Sequence, residues 1–286
     1  MAEHPEIPVD PSRTTLYSPA ELYGAGGYDE SLDARADRWA RAPRTPEAAL
    51  CRALHDHAID LALETWVDGR HLVGVMGGHQ VERGTAAYAD AARLGALLAG
   101  SHVVATGGGP GAMEAANLGA RLGADADALD EALGRLARVP SYRPSVDAWL
   151  GAARAVLESC PTGLDNLGIP TWHYGHEPPN VFATAIAKYF RNSTREATLL
   201  QVCDAGIVFL PGLAGTVQEV FQDACENFYA DRSAIAPMVL VGRRYWTEDL
   251  PVWPLLRAMA RGRVMQEHVH LVESVDDAAD LLDSRT

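Results

Sequence analysis

Lysine is almost absent from this chain of 286 residues: one lysine, Lys188, stands against twenty-three arginines. Pyridoxal phosphate and other Schiff-base enzymes need a lysine nucleophile. Only Lys188 could serve, and it stands in AIAKYFRN, which reads as an ordinary amphipathic helix. That chemistry is therefore set aside. Cysteine is scarce too. Cys51, Cys160, Cys203 and Cys225 form no CxxC pair and no zinc spacing, and read as thiols of a reducing cytoplasm. No apolar stretch approaches the roughly 18 residues a membrane helix needs. The N-terminal MAEHPEIPVDPSR has no basic start followed by an apolar run, so it does not read as a secretory signal. Positive charge is outnumbered, 24 basic against 38 acidic side chains, for a net charge of −14. Nonspecific nucleic-acid binding needs basic surface and is excluded. A local anion site is not.

Apolar residues make up 48% and charged residues 22%, the balance of a globular protein with a sizeable core. Residues 1–70 carry turn signals (Pro5, Pro8, Pro11, Gly24, Gly26, Gly27) and then EAALCRALHDHAIDLALETW, with helical apolar spacing. They read as an N-terminal extension packing on a main domain of residues 71–286. In that domain LVGVMGG and HVVATGGG read as buried strands closed by glycines, each followed by a helical pattern. Residues 123–165 interrupt with a helical insertion or lid. NLGIPTWHYG resumes the strand pattern, and NVFATAIAKYFRNSTREATLLQVC reads as a long helix or bent pair. AGIVFLPG, APMVLVG and HVHLVES are further strands, alternating with helices. Buried strands alternating with helices predict an α/β fold: a doubly wound, mostly parallel, Rossmann-like sheet of about six strands with helices on both faces.

Such sheets bind ligands beyond the carboxyl ends of their strands. Three strands end in glycine-rich turns: Gly77-Gly78-His79, Gly107-Gly108-Gly109-Pro110-Gly111, and Pro211-Gly212-Leu213-Ala214-Gly215-Thr216. A glycine turn at a helix N-terminus offers unpaired N–H groups to an anion, most often phosphate. Neither a Walker P-loop nor GxGxxG is present, so no dinucleotide and no other cofactor is expected. Thr216-Val-Gln-Glu219 has two readings: a T-x-x-E capping box, or a carboxylate one helical turn beyond a phosphate cradle.

PGLAGTVQE resembles the PGGxGTxxE motif of the LOG (Lonely guy) phosphoribohydrolases, long labelled lysine decarboxylases. GGGPGAMEAANLGA resembles that family's second turn and helix. MGGH with Tyr88, Ala91, Ala92, Leu94, Gly95 and Leu98 resembles its first, and Arg195 holds the place of its arginine. The resemblance covers about residues 72–282. It implies hydrolysis of the N-glycosidic bond of a nucleoside 5′-monophosphate, giving free base and ribose 5-phosphate, by a homodimer. Carried over by position, Glu219 and Arg195 become the catalytic pair. Gly212, Ala214, Gly215 and Thr216, with Gly107, Gly108, Gly109 and Gly111 and the Gly77-Gly78-His79 turn, become substrate and phosphate binders. The sequence departs at Leu213, where the motif has glycine, and at Glu196, where it has lysine. The extension and insertion exceed compact members and imply another base specificity.

TWHYGHEPPN puts His173, His176 and Glu177 in a loop. Its ligands are too few for a metal, and none is expected; it reads as a solvated loop or a base-recognition loop, with Glu177 as specificity residue. Two rivals stand beside the enzyme. One is a non-catalytic carrier or sensor, since molybdenum-cofactor carriers resemble this fold and take a phosphorylated ligand at the same edge. The other is an interaction protein with vestigial turns.

Overall fold

The computed structural model describes residues 7–173 and 177–284, so His176 lies outside the described residues. The extension holds α1 (Pro19–Tyr23), α2 (Leu32–Arg41) and α3 (Pro46–Val67). β1 (Leu72–Met76), α4 (Ala86–Leu98), β2 (Val103–Thr106) and α5 (Ala112–Leu122) follow. The insertion forms α6 (Ala126–Leu136) and α7 (Val146–Ser159). Then come β3 (Leu167–Gly168), β4 (Ala185–Ile186), α8 (Asn192–Gln201), β5 (Gly206–Phe209) and α9 (Ala214–Tyr229). The chain closes with β6 (Met238–Val241), α10 (Val252–Ala260), β7 (Val269–Val272) and α11 (Val275–Asp283).

The strands form one seven-stranded sheet in the order β4-β3-β2-β1-β5-β6-β7, every pair parallel. β1, β5 and β6 are apolar and buried at every position, as strands covered on both faces must be. From β1 the chain winds outward through β2 and β3 to β4, then returns over the sheet to place β5 on the other side of β1. α4 packs on α5 and α11, while α9 packs on α8 and α10. Right-handed crossovers in opposite directions put these groups on opposite faces. The reversal between β1 and β5 opens a crevice at their carboxyl ends, where ligands bind in such sheets.

The stretch 180–203, expected as a long helix or bent pair, is instead an extended segment followed by the short α8. Val181–Tyr189 is almost wholly buried, and an amphipathic helix would have needed an exposed face. Ile186 pairs with β3's Gly168 on one side and with Tyr17 on the other, in an antiparallel bridge with both N···O distances 2.9 Å. The extension thereby covers the sheet edge. Lys188 lies in this extended segment, not in a helix. It is fully buried and ion-paired with Asp33, which also accepts hydrogen bonds from Tyr28 Oη (2.8 Å) and Trp172 Nε1 (2.9 Å). The lone lysine pins the extension to the sheet.

Candidate functional site

The three glycine turns meet at the β1/β5 crevice but do different jobs. The 77–79 turn does not lead straight into a helix: α4 begins at Ala86 and is capped by Thr85 Oγ1, which accepts from Tyr88 N (3.3 Å). Instead Gly78 O accepts from Ala112 N (3.1 Å), anchoring the start of α5. Gly77 packs where a Cβ would stand 2.9 Å from Ala112 Cβ. Gly111, at φ +74°, caps α5 where a Cβ would sit 2.5 Å from Gly78 O, so no other residue fits.

The 107–109 turn is buried and held by asparagines that sequence reasoning missed. Asn180 donates from its backbone to Gly108 O (2.9 Å) and from Nδ2 to Gly109 O (3.1 Å) and Asn117 Oδ1 (2.9 Å). Asn117 accepts from Thr106 Oγ1 (2.7 Å) and donates to Asn166 Oδ1 (2.9 Å). A signal existed: each asparagine interrupts an apolar run (AANLGA, DNLGIP, PPNVF), and a buried amide must find partners.

The 211–216 turn is the open one. α9 begins after Leu213 with no side-chain cap. Its first backbone bond runs from Val217 N to Leu213 O, and Ala214 and Gly215 are exposed. The N–H groups of Ala214, Gly215 and Thr216 therefore remain free of helical partners at the positive end of a 16-residue helix. Thr216 is buried inside the first turn. Gly212 packs against it, a Cβ there falling 2.2 Å from Thr216 Oγ1. Thr216 and Glu219 do not form a capping box, because the cap position belongs to Leu213. Leu213 holds an ordinary φ of −94° and is 66% exposed.

Glu219 is thus released from capping. Its side chain is 13% exposed, and Oε1 lies 3.8 Å from Arg195 Nη1. Arg195, buried on α8, contacts Glu196 Oε1 through Nη2 at 3.3 Å, and its Nε has no hydrogen-bond partner. Glu196 is equally buried, with Oε2 unpartnered. Burial pushes the Glu219 carboxyl up to about 8; Arg195 opposes the shift and Glu196 reinforces it. A carboxyl raised this far can hold a proton near neutral pH and give it to a leaving group.

Glu177 and His79 lie on the other side of the 107–109 turn. Their side chains approach to 3.7 Å, His79 exposed and Glu177 half-buried. They line a cavity of about 430 Å³ with Gly111, Glu114, Tyr142 and Arg143. The insertion supplies one wall. It is clamped by Arg83, which donates from its backbone to Pro140 O (3.0 Å) and from Nη1 to Val139 O (3.3 Å) and Trp149 O (3.2 Å). Arg83 also forms a buried ion pair with Glu114 (Nε···Oε2 3.0 Å). Met113 forms the divide: its side chain packs on Gly107 and Gly109, while Arg195 approaches Gly107 and Glu177 approaches Gly109. The fold therefore brings the two predicted halves of the site to one turn. Among the described residues no group of three or more His, Cys, Asp or Glu side chains could hold a metal ion, and no helix is long and apolar enough to cross a membrane.

No protein-family model matches the chain, and neither does any curated protein. Among solved structures it is similar to the molybdenum cofactor binding protein of the phototrophic bacterium Rippkaea orientalis. The identity is 19% and the TM-score 0.46, over 76% of this chain and 97% of that one. It is also similar to the molybdenum cofactor carrier protein of Chlamydomonas reinhardtii, at 16% identity and TM-score 0.45, over 75% of this chain and 97% of that one.

Proposed function

We propose that this protein binds a nucleoside 5′-monophosphate at the β1/β5 crevice and hydrolyses its N-glycosidic bond. The observation that carries the reading is Glu219, largely buried beside Arg195 and one turn beyond an uncapped and exposed helix N-terminus. The 5′-phosphate docks on the N–H groups of Ala214, Gly215 and Thr216. The ribose then lies near Glu219, and the base reaches across Met113 toward Glu177 and His79. As the C–N bond breaks, the base leaves with the electron pair and takes the Glu219 proton. Water adds to C1′ of the cationic sugar and returns a proton to the Glu219 carboxylate, leaving ribose 5-phosphate. Glu196 supplies negative charge beside the developing cation, and Arg195 orients both carboxylates and binds the ligand. The same reading includes a homodimer, which light scattering on the purified chain would test.

A second reading is a carrier that holds a phosphorylated ligand without cleaving it, the class named by the two solved proteins. The observation in its favour is Glu196, which pairs with Arg195 at 3.3 Å and so occupies the guanidinium that would otherwise face the ligand. An assay of free base released from a panel of nucleoside 5′-monophosphates, with the matching nucleosides as controls, separates the readings. Release from a monophosphate and not from its nucleoside supports the enzyme. Nucleotide binding without any release supports the carrier.

A further inference from the structure

A second cavity, of about 610 Å³, lies where the N-terminal extension meets the start of α8. Four arginines line it: Arg41, Arg44, Arg52 and Arg191. Only Arg41 is matched by a carboxylate, Asp37 at 3.0 Å. Arg44, Arg52 and Arg191 have no ion-pair partner among the described residues. The Arg52 guanidinium lies 4.7 Å above the Trp39 ring and donates from Nη2 to Trp39 O (2.9 Å), which fixes its place, while its Nε is buried without a hydrogen-bond partner. Asp56 is the one carboxylate in the lining. Its oxygens are already taken by Phe190 N and Arg191 N, each at 2.9 Å, and by His55 Nδ1 at 3.2 Å.

Four arginines against two carboxylates, Asp56 in the lining and Asp37 beside Arg41, leave the hollow net positive in a chain of net charge −14. Like charges held together oppose the fold unless an anion joins them; the Arg52 pKa is accordingly lowered by burial and by the neighbouring Arg44. We infer that this cavity is a binding site for a small polyphosphorylated anion, carrying two or more phosphate groups, distinct from the Glu219 site. Arginine forks match phosphate oxygens in pairs. Several arginines spread around a hollow of this size suit a chain of phosphates better than a single carboxylate. The extension supplies Arg44 and Arg52, so its length gains a use beyond covering the sheet edge. The inference does not depend on what reaction, if any, occurs at Glu219.

The test is calorimetric titration of the full chain with inorganic pyrophosphate at low ionic strength, where charge attraction is least screened. Three proteins are compared: wild type, the double variant Arg44→Ala/Arg191→Ala, and Gly215→Asp. Both arginines are exposed, so the double variant keeps its core, and its melting temperature without ligand verifies this. Gly215→Asp places a carboxylate at the open start of α9, where no atom lies within 4 Å of the new Cβ, and repels anions from that turn alone. The expected result is saturable binding by wild type, binding by Gly215→Asp within about twofold of it, and a loss of about tenfold or more in the double variant, the scale of removing charge-assisted phosphate contacts. Absence of binding by wild type overturns the inference. So does binding that survives in the double variant, or that falls as far in Gly215→Asp.

Discussion

Glu219 and Arg195 stand 24 positions apart in the chain and meet because α8 packs on α9. The meeting changes the acid's chemistry, since the carboxyl is pushed up to about 8 chiefly by burial. The folded protein holds the Glu219 proton between its ordinary value of 4.5 and about 8, while the unfolded chain releases it. The folded state binds more protons in that window, so this residue's contribution to stability falls as pH rises through it. Glu219→Gln removes the dependence. Its melting temperature should gain on wild type steadily between pH 5 and pH 8, and a constant difference would contradict the buried acid. If Glu219 donates the proton, wild-type kcat should also fall above about pH 8, where the acid is ionised. Arg195→Ala should raise KM for nucleotide and lower kcat together, since the guanidinium touches both ligand and acid.

Two elements decide what the site can hold. α9 has Leu213, among the poorest capping residues, at its N-cap, and leaves its first N–H groups free. Leu213→Asp supplies the missing cap and should raise stability by about 1 kcal/mol, while its negative charge should abolish nucleotide binding measured by thermal shift. Unchanged binding in a stabilised variant would move the phosphate elsewhere. The insertion wall depends on Arg83, buried against Glu114 with both side chains 1% exposed. Arg83→Ala leaves Glu114 charged and alone and should destabilise by about 3–5 kcal/mol in chemical denaturation; adding Glu114→Gln should recover part of the loss. These elements differ in how far the sequence discloses them. The apolar runs of β1, β5 and β6 have no competing reading once helices are seen between them. The stretch 181–190 did have one, because an apolar run buried on every side carries no periodicity to separate strand from helix. The T-x-x-E pattern misleads about capping for a related reason: helix start is set by the backbone at Leu213, one turn earlier than the pattern implies.

At the scale of the whole molecule, the sheet order brings three turns to one crevice, and the insertion and extension build a cavity on either flank. The alternation of strands and helices was legible, and so was the edge at which the glycine turns gather; β4 and the order of the strands were not. The division of labour among the turns was not. Glycines at 77 and 111 exist for contacts with Ala112 and Gly78, which are set by packing between elements far apart in sequence. The arginine cavity was hidden for the same reason: Arg44 and Arg52 belong to the extension and Arg191 to the start of α8, and they converge only in the fold. The central claim is that Glu219 acts in glycosidic cleavage and not in holding a helix end. Its most direct test is the rate of free-base release from a saturating nucleoside 5′-monophosphate, measured at pH 7 for wild type and Glu219→Gln, with both proteins shown to be folded. The expected result is release by wild type and a loss of about 10²–10³-fold in the variant, the scale of removing one well-placed catalytic group. Equal rates in the two proteins would contradict the claim.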